Sequence, residues 1–104
     1  EKAKRLLAAE RNLQDTRLEM VDDEFERERL RILYHYGRQQ EDLREQMATL
    51  GEDEIAARQA IADRIEEIEK LKYQKVAEVQ QKEFDKIEKE NKIMGIKWEK
   101  KNVS

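Results

Sequence analysis

Apolar residues recur every eleven positions along this chain, and that period leaves few folds open. Val21, Ile32 and Leu43 are eleven apart, as are Phe25, Tyr36 and Met47; Ile65, Val76, Ile87 and Trp98 continue the spacing further on. Eleven residues in three turns give ~3.67 residues per turn, so each series marks one face of a nearly straight helix. In the first half Ala3, Leu7, Leu18, Val21, Phe25, Ile32, Tyr36, Leu43, Met47 and Leu50 form the stripe. At ~100° per residue they fall within a sector of roughly 80°, the width that one partner helix covers. The second half adds Ala62, Ile68, Tyr73, Val79 and Phe84 to its series. That stripe spans roughly 140°, enough to meet more than one neighbouring helix.

Composition agrees with long helices and argues against an ordinary globular core. Charged residues make up 45% and aromatics 6% of the 104 residues, with no proline. Mean hydropathy is −1.10. So much charge also fits a disordered chain, but the periodicity opposes that. So do the acid-before-base pairs four residues apart, Glu54/Arg58, Glu66/Lys70, Glu78/Lys82, Asp85/Lys89 and Glu88/Lys92, whose orientation supports a solvated helix face. No run approaches the ~18 apolar residues that span a membrane. A net charge of −3 predicts no nucleic-acid partner. Without cysteine there is neither a disulfide nor a thiolate metal site in the segment. A start at Glu-Lys-Ala-Lys instead of Met is expected of a fragment cut from a longer protein.

Two of the three glycines bear on the architecture. Gly37 sits inside the eleven-residue pattern and reads as a local weakness within a continuing helix. Gly51 follows Leu50, the last member of the first stripe, and precedes Glu52, Asp53 and Glu54. That order predicts a helix ending with Gly51 at its C′ position and a second helix opened by Asp53 or Glu52. The expected organisation is all-α: helix 2–50, turn 51–52, helix 53–97 and a frayed tail 98–104, folded as an antiparallel two-helix coiled-coil hairpin. Residue numbers of facing positions should then add to roughly 102–104, given equal rise along both arms. This places Met47 by Ile55, Tyr36 by Ile65 and Ile68, Phe25 by Val76 and Val79, Leu18 by Phe84, and Leu7 by Met94 and Trp98. The alternative is one continuous helix of ~150 Å in a coiled-coil oligomer.

The interaction seam expected from this pairing comprises Leu18, Val21, Phe25, Ile32, Tyr36, Leu43 and Met47 on the first arm. On the second it comprises Ile65, Ile68, Val76, Val79, Phe84, Ile87 and Trp98. The wider second stripe calls for a second copy, a dimer of hairpins forming a four-helix bundle. Residues 39–69 hold ten acids and three bases, whereas residues 70–104 hold ten lysines and six acids. The tip, Gly51, Glu52, Asp53 and Glu54, is thus acidic and the open end basic. Such an asymmetry suits head-to-tail attraction or a basic partner at the tip.

Catalytic chemistry finds no foothold. The single serine is terminal Ser104, and the single histidine, His35, lacks the Glu-x-x-His spacing of di-iron bundles. His35 reads as an exposed or interface residue. Carboxylates such as Asp22-Asp23-Glu24 and Glu66-Glu67 belong to outer faces, outside any pocket that would shift their pKa. No catalytic, cofactor or metal residue is therefore expected. The stretch KIMGIKWEKKNVS mixes Met94, Ile96 and Trp98 with lysines, as a membrane-surface anchor would, but Trp98 also fits the core series. The latter reading is preferred, with no membrane contact within the segment.

The stretch DDEFERERLRILYHYGRQQEDLREQ (residues 22–46), followed by EDEIAARQAI and by KEFDKIEKENKI (residues 82–93), resembles the charged helical middle regions of phage and prophage tail tape-measure proteins. The likeness covers most of the chain and lies in its charged helical texture, so no catalytic or ligand residue carries over. It implies an elongated structural protein that occupies the tail-tube lumen, sets tail length by its own extent and leaves before the DNA. Location in the cytoplasm of the producing cell and then in the virion tail would follow, with other tail or scaffold proteins as further partners. The competing expectation is a cellular coiled-coil hairpin that binds or scaffolds proteins through its acidic tip.

Overall fold

The chain folds as three helices, α1 (Lys2–Met20), α2 (Glu24–Ala48) and α3 (Ile55–Asn102). The computed structural model describes residues 1–102, and the side chains of residues 1–95. The all-α class expected from the periodicity holds. Gly37 lies within α2, as expected.

The first arm is not one helix. It breaks at Val21-Asp22-Asp23, where Val21 turns extended with ψ near 117°. Asp23 makes the break by capping α2: its Oδ1 accepts from the backbone N–H of Phe25 at 2.8 Å and of Glu26 at 3.0 Å. Glu24 and Glu26 follow in the first turn, where the positive end of the helix favours acids. Arg27 secures the corner from the other side, with Nε donating to the Val21 carbonyl at 2.9 Å and Nη2 reaching the same oxygen. The apolar stripe passes the corner from Leu18 through Val21 to Phe25 at the spacing a continuous helix would give. Helical spacing alone could not reveal it.

The two hydrogen bonds, that from Glu26 the stronger influence, hold the Asp23 carboxyl below the usual aspartate range. A depressed folded-state pKa stabilises above the unfolded value and is lost as the pH falls through the folded one. Below about pH 4 the start of α2 should therefore fray. Asp23→Ala is expected to lower the melting midpoint by roughly 4–8 °C in circular dichroism, and Asp23→Asn, which still caps, by less than ~2 °C.

The second interruption falls where TLGEDE stands, but its details differ from expectation. Thr49 is the C-cap of α2, its N–H donating to the Gln46 carbonyl at 3.1 Å while the Leu50 N–H donates to the Met47 carbonyl at 3.1 Å. Gly51 therefore lies two residues past the cap, and no described glycine has a positive φ. Helix α3 begins at Ile55, after Glu54, whose carbonyl accepts from Arg58 N–H at 3.0 Å. Neither Asp53 nor Glu52 opens it. Glu54 instead closes the bend on itself: its carboxylate accepts from Gly51 N–H at 2.7 Å, and its own N–H donates to the Gly51 carbonyl at 3.1 Å. A Cβ at Gly51 would meet Asp53 Oδ1 at 2.6 Å, the end of a side chain that can rotate. With no left-handed φ to satisfy, Gly51→Ala is expected to cost under about 1 kcal/mol in a denaturant titration. At the far end α3 continues helical to Asn102, so the frayed tail expected over 98–104 does not begin at Trp98.

Helix α2 lies antiparallel to α3, and α1 folds back antiparallel along α2. Among the described residues α1 and α3 make no contact. The result is a single layer of helices, 80 × 29 × 8 Å across its Cα atoms. Among the described residues Leu43, Ile68 and Val79 are the buried apolar side chains, all on the α2–α3 seam.

Candidate interaction surface

The α2–α3 seam brings together most of the expected anchors. Phe25, Ile32, Tyr36 and Met47 are half-buried on α2, as are Ile65 and Val76 on α3. Met47 and Ile55 line one hollow near the turn, and Phe25 shares a groove with Val79. The cross-helix polar pairs set the actual register. Gln40 reaches the Ile65 carbonyl and Glu69, Arg29 pairs with Glu83 at 2.5 Å, and Glu24 pairs with Lys86 at 3.3 Å. Lys86 also sits 5.4 Å from the Phe25 ring centre. Towards the open end α3 is thus shifted by several residues from the expected pairing: Arg29 with Glu83 adds to 112 and Glu24 with Lys86 to 110, against the expected 102–104.

The outer half of the expected seam does not form. Leu18 faces α2, lining a hollow with Arg31, Tyr34 and Arg38, and Phe84 is exposed. Leu7 is likewise far from Met94, since the corner at Val21 turns α1 away from α3. Ile87 is exposed, and Trp98 lies outside the described side chains.

Sequence reasoning missed Gln40, the one buried polar residue among those described, only 4% exposed. Its Nε2 donates to Ile65 O at 3.2 Å and Glu69 Oε2 at 2.6 Å. Lys72 donates to the same carboxylate, and together, Lys72 first, they hold Glu69 below the usual glutamate range. The signal was its position four after Tyr36 and three before Leu43. A polar residue at such a place fixes register, since sliding the helices would bury an unsatisfied amide.

The α1–α2 seam was also unforeseen, and arginines hold it. Arg11 Nη2 donates to the Arg38 carbonyl at 3.4 Å, and Arg38 Nη2 donates to the Arg11 carbonyl at 3.0 Å. Each then takes carboxylates from the opposite helix: Asp42 and Glu41 for Arg11, Asp15 for Arg38. Asp42, through its hydrogen bond, contributes most to raising the Arg11 pKa. The sequence signal was Arg11, Gln14 and Leu18 at helical spacing, a polar continuation of the first stripe.

The two broad faces of the layer differ. On one, a groove of about 540 Å³ runs between α2 and α3 over Phe25, Ile32, Tyr36 and Val79, rimmed by charged side chains including Arg31, Lys75 and Lys82. His35 stands exposed on the ridge between this groove and the α1–α2 hollow, 3.1 Å from Gln39. Helical geometry at ~100° per residue directs Leu33, Ile55, Tyr73, Phe84 and Ile87 toward the other face. All five are exposed. Glu52, Asp53 and Glu54 project at the bend, Glu54 being engaged by Gly51. Among the described residues no group of three His, Asp or Glu side chains is placed to hold a metal ion, and no helix is long and apolar enough to cross a membrane.

No protein-family model matches the chain, and neither curated proteins nor solved structures give a significant match.

Proposed function

We propose that the chain is a structural, non-catalytic coiled-coil segment of an elongated tail protein of the tape-measure kind, contributing to tail length and assembly by its physical extent. The supporting observation is the shape. One layer of helices, 80 Å long and one helix thick, is built around a 48-residue helix and exposes its apolar surface along that length. Such a form suits a spacer that packs against copies of itself or other long helices. In this role the segment resides in the virion tail after assembly in the producing cell. In-frame removal of the 104 residues from the protein that carries them should shorten tails measured by electron microscopy. The folded layer predicts a loss near 80 Å. A chain running straight predicts ~150 Å, at 1.5 Å per residue. Unchanged tail length would contradict the proposal.

The exposed acids at the bend favour a second reading, a cellular coiled-coil module that binds a basic partner through Glu52 and Asp53. Glu52→Lys/Asp53→Lys should then abolish partner capture without altering helicity. Under the structural reading, tail length is indifferent to that change.

A further inference from the structure

We infer that the apolar face of α3 is the seat of a second copy of this chain, bound antiparallel about a twofold axis that passes between Gln74 and Lys75. The inference rests on the self-packing part of the structural reading and says which face, which occupant and which orientation.

The need for a partner comes from the imbalance of the isolated chain. Three apolar side chains are buried, whereas eleven large ones are exposed among the described residues. Those on the α2–α3 layer divide unevenly: Leu71 and Ile93 point toward the charged-groove face, and the rest toward the other. Tyr73 is 64% exposed and Phe84 62%. Together with Ile55, Ile87 and Met94 they leave roughly 600 Å² of apolar surface wet in one stripe along α3, at the upper end of the largest patch that a monomer ordinarily exposes. It also approaches the ~800 Å² per partner of a stable protein interface.

With the half-buried Ala62, Ile65 and Val76 included, the apolar positions of this stripe are spaced symmetrically. Placing the axis between Gln74 and Lys75 brings Ile55 of one copy to Met94 of the other, Ala62 to Ile87, Ile65 to Phe84 and Tyr73 to Val76. Each pair occurs twice, as an isologous interface requires. Charge selects the same orientation. Residues 54–69 carry five acids and two bases, and residues 80–95 carry four of each. An antiparallel pair sets the acid-rich stretch against the balanced one. A parallel pair sets the acid-rich stretch against itself, at like-charge cost. The stripe lies roughly 80° around α3 from the side that meets α2, so both neighbours fit on one helix.

Sedimentation equilibrium of the whole chain should give twice the 12.5 kDa chain mass. Phe84→Glu, on an exposed position, should raise the dimer dissociation constant more than ~30-fold with helicity unchanged. Leu71→Glu, on the opposite face, should leave it within about threefold. One spin label per chain at Met94→Cys then reads orientation, since only distances between copies contribute. The antiparallel pair predicts ~60 Å, from 39 residues of rise. A monomer at ~100 µM, a dimer indifferent to Phe84→Glu, or a label distance below ~20 Å would each overturn the inference. The tail-length experiment stands apart from these outcomes, so a monomeric chain whose removal still shortens tails would sink the dimer and spare the structural role.

Discussion

Ile68→Ala should remove about 2–4 kcal/mol of stability and expose α2 and α3 together to unfolding in urea. Ile68 is 7% exposed and, among the described residues, shares the buried seam with Leu43, Val79 and the amide of Gln40. Deleting such a side chain in a thick core costs up to ~5 kcal/mol, but a layer open on two faces can collapse or admit water, which favours the lower part of the range. Against a total of roughly 5–15 kcal/mol for a chain of this length, even that is a large fraction. Ala60→Ser, on the exposed side of the same helix, is the control and should change stability by less than ~0.5 kcal/mol. Equal effects at the two positions would mean that the α2–α3 seam does not organise the fold.

Arg38→Met should free α1 while leaving α2 and α3 in place. The substitution keeps a helix-compatible side chain but removes the donors to Gln14, Asp15 and the Arg11 carbonyl. Because α1 touches α2 and not α3, no other helix retains it. A free 19-residue helix is marginal in water. Hydrogen exchange should therefore show α1 amides losing protection by at least ~10-fold, with α2 and α3 amides unchanged. Uniform loss along the chain would show that the three helices unfold as one unit and that the arginine clamp is not a separate joint.

These two seams also show how far the sequence could be read. The α2–α3 contact was legible because Phe25, Ile32, Leu43, Ile68 and Val79 announce it by apolar spacing, and Gly51 by its place at the end of a stripe. The width of the stripe on α3 was legible for the same reason, and its outer part is the surface left exposed at Tyr73 and Phe84. The corner at Val21 was not. Asp23 and the acids after it carry the same helix-start chemistry as the residues after Gly51, but without a glycine they pass for a charged face. The α1–α2 seam is polar, and a pair of arginines exchanging backbone carbonyls leaves no mark in hydrophobic periodicity. Gln40 is hidden in the same way, a buried amide that Gln39 and Glu41 flank in the sequence.

The reversal at Val21-Asp22-Asp23 separates a folded layer from a two-armed hairpin or a rod, and one distance tests it. With no native cysteine, spin labels at Glu10→Cys and Glu45→Cys report cleanly, and dilution with unlabelled chain isolates the intramolecular pair. The folded-back α1 places Arg11 against Asp42, so the labels should lie ~10–20 Å apart. A distance of ~50 Å, the rise of 35 residues in one unbroken helix, would contradict the three-helix layer.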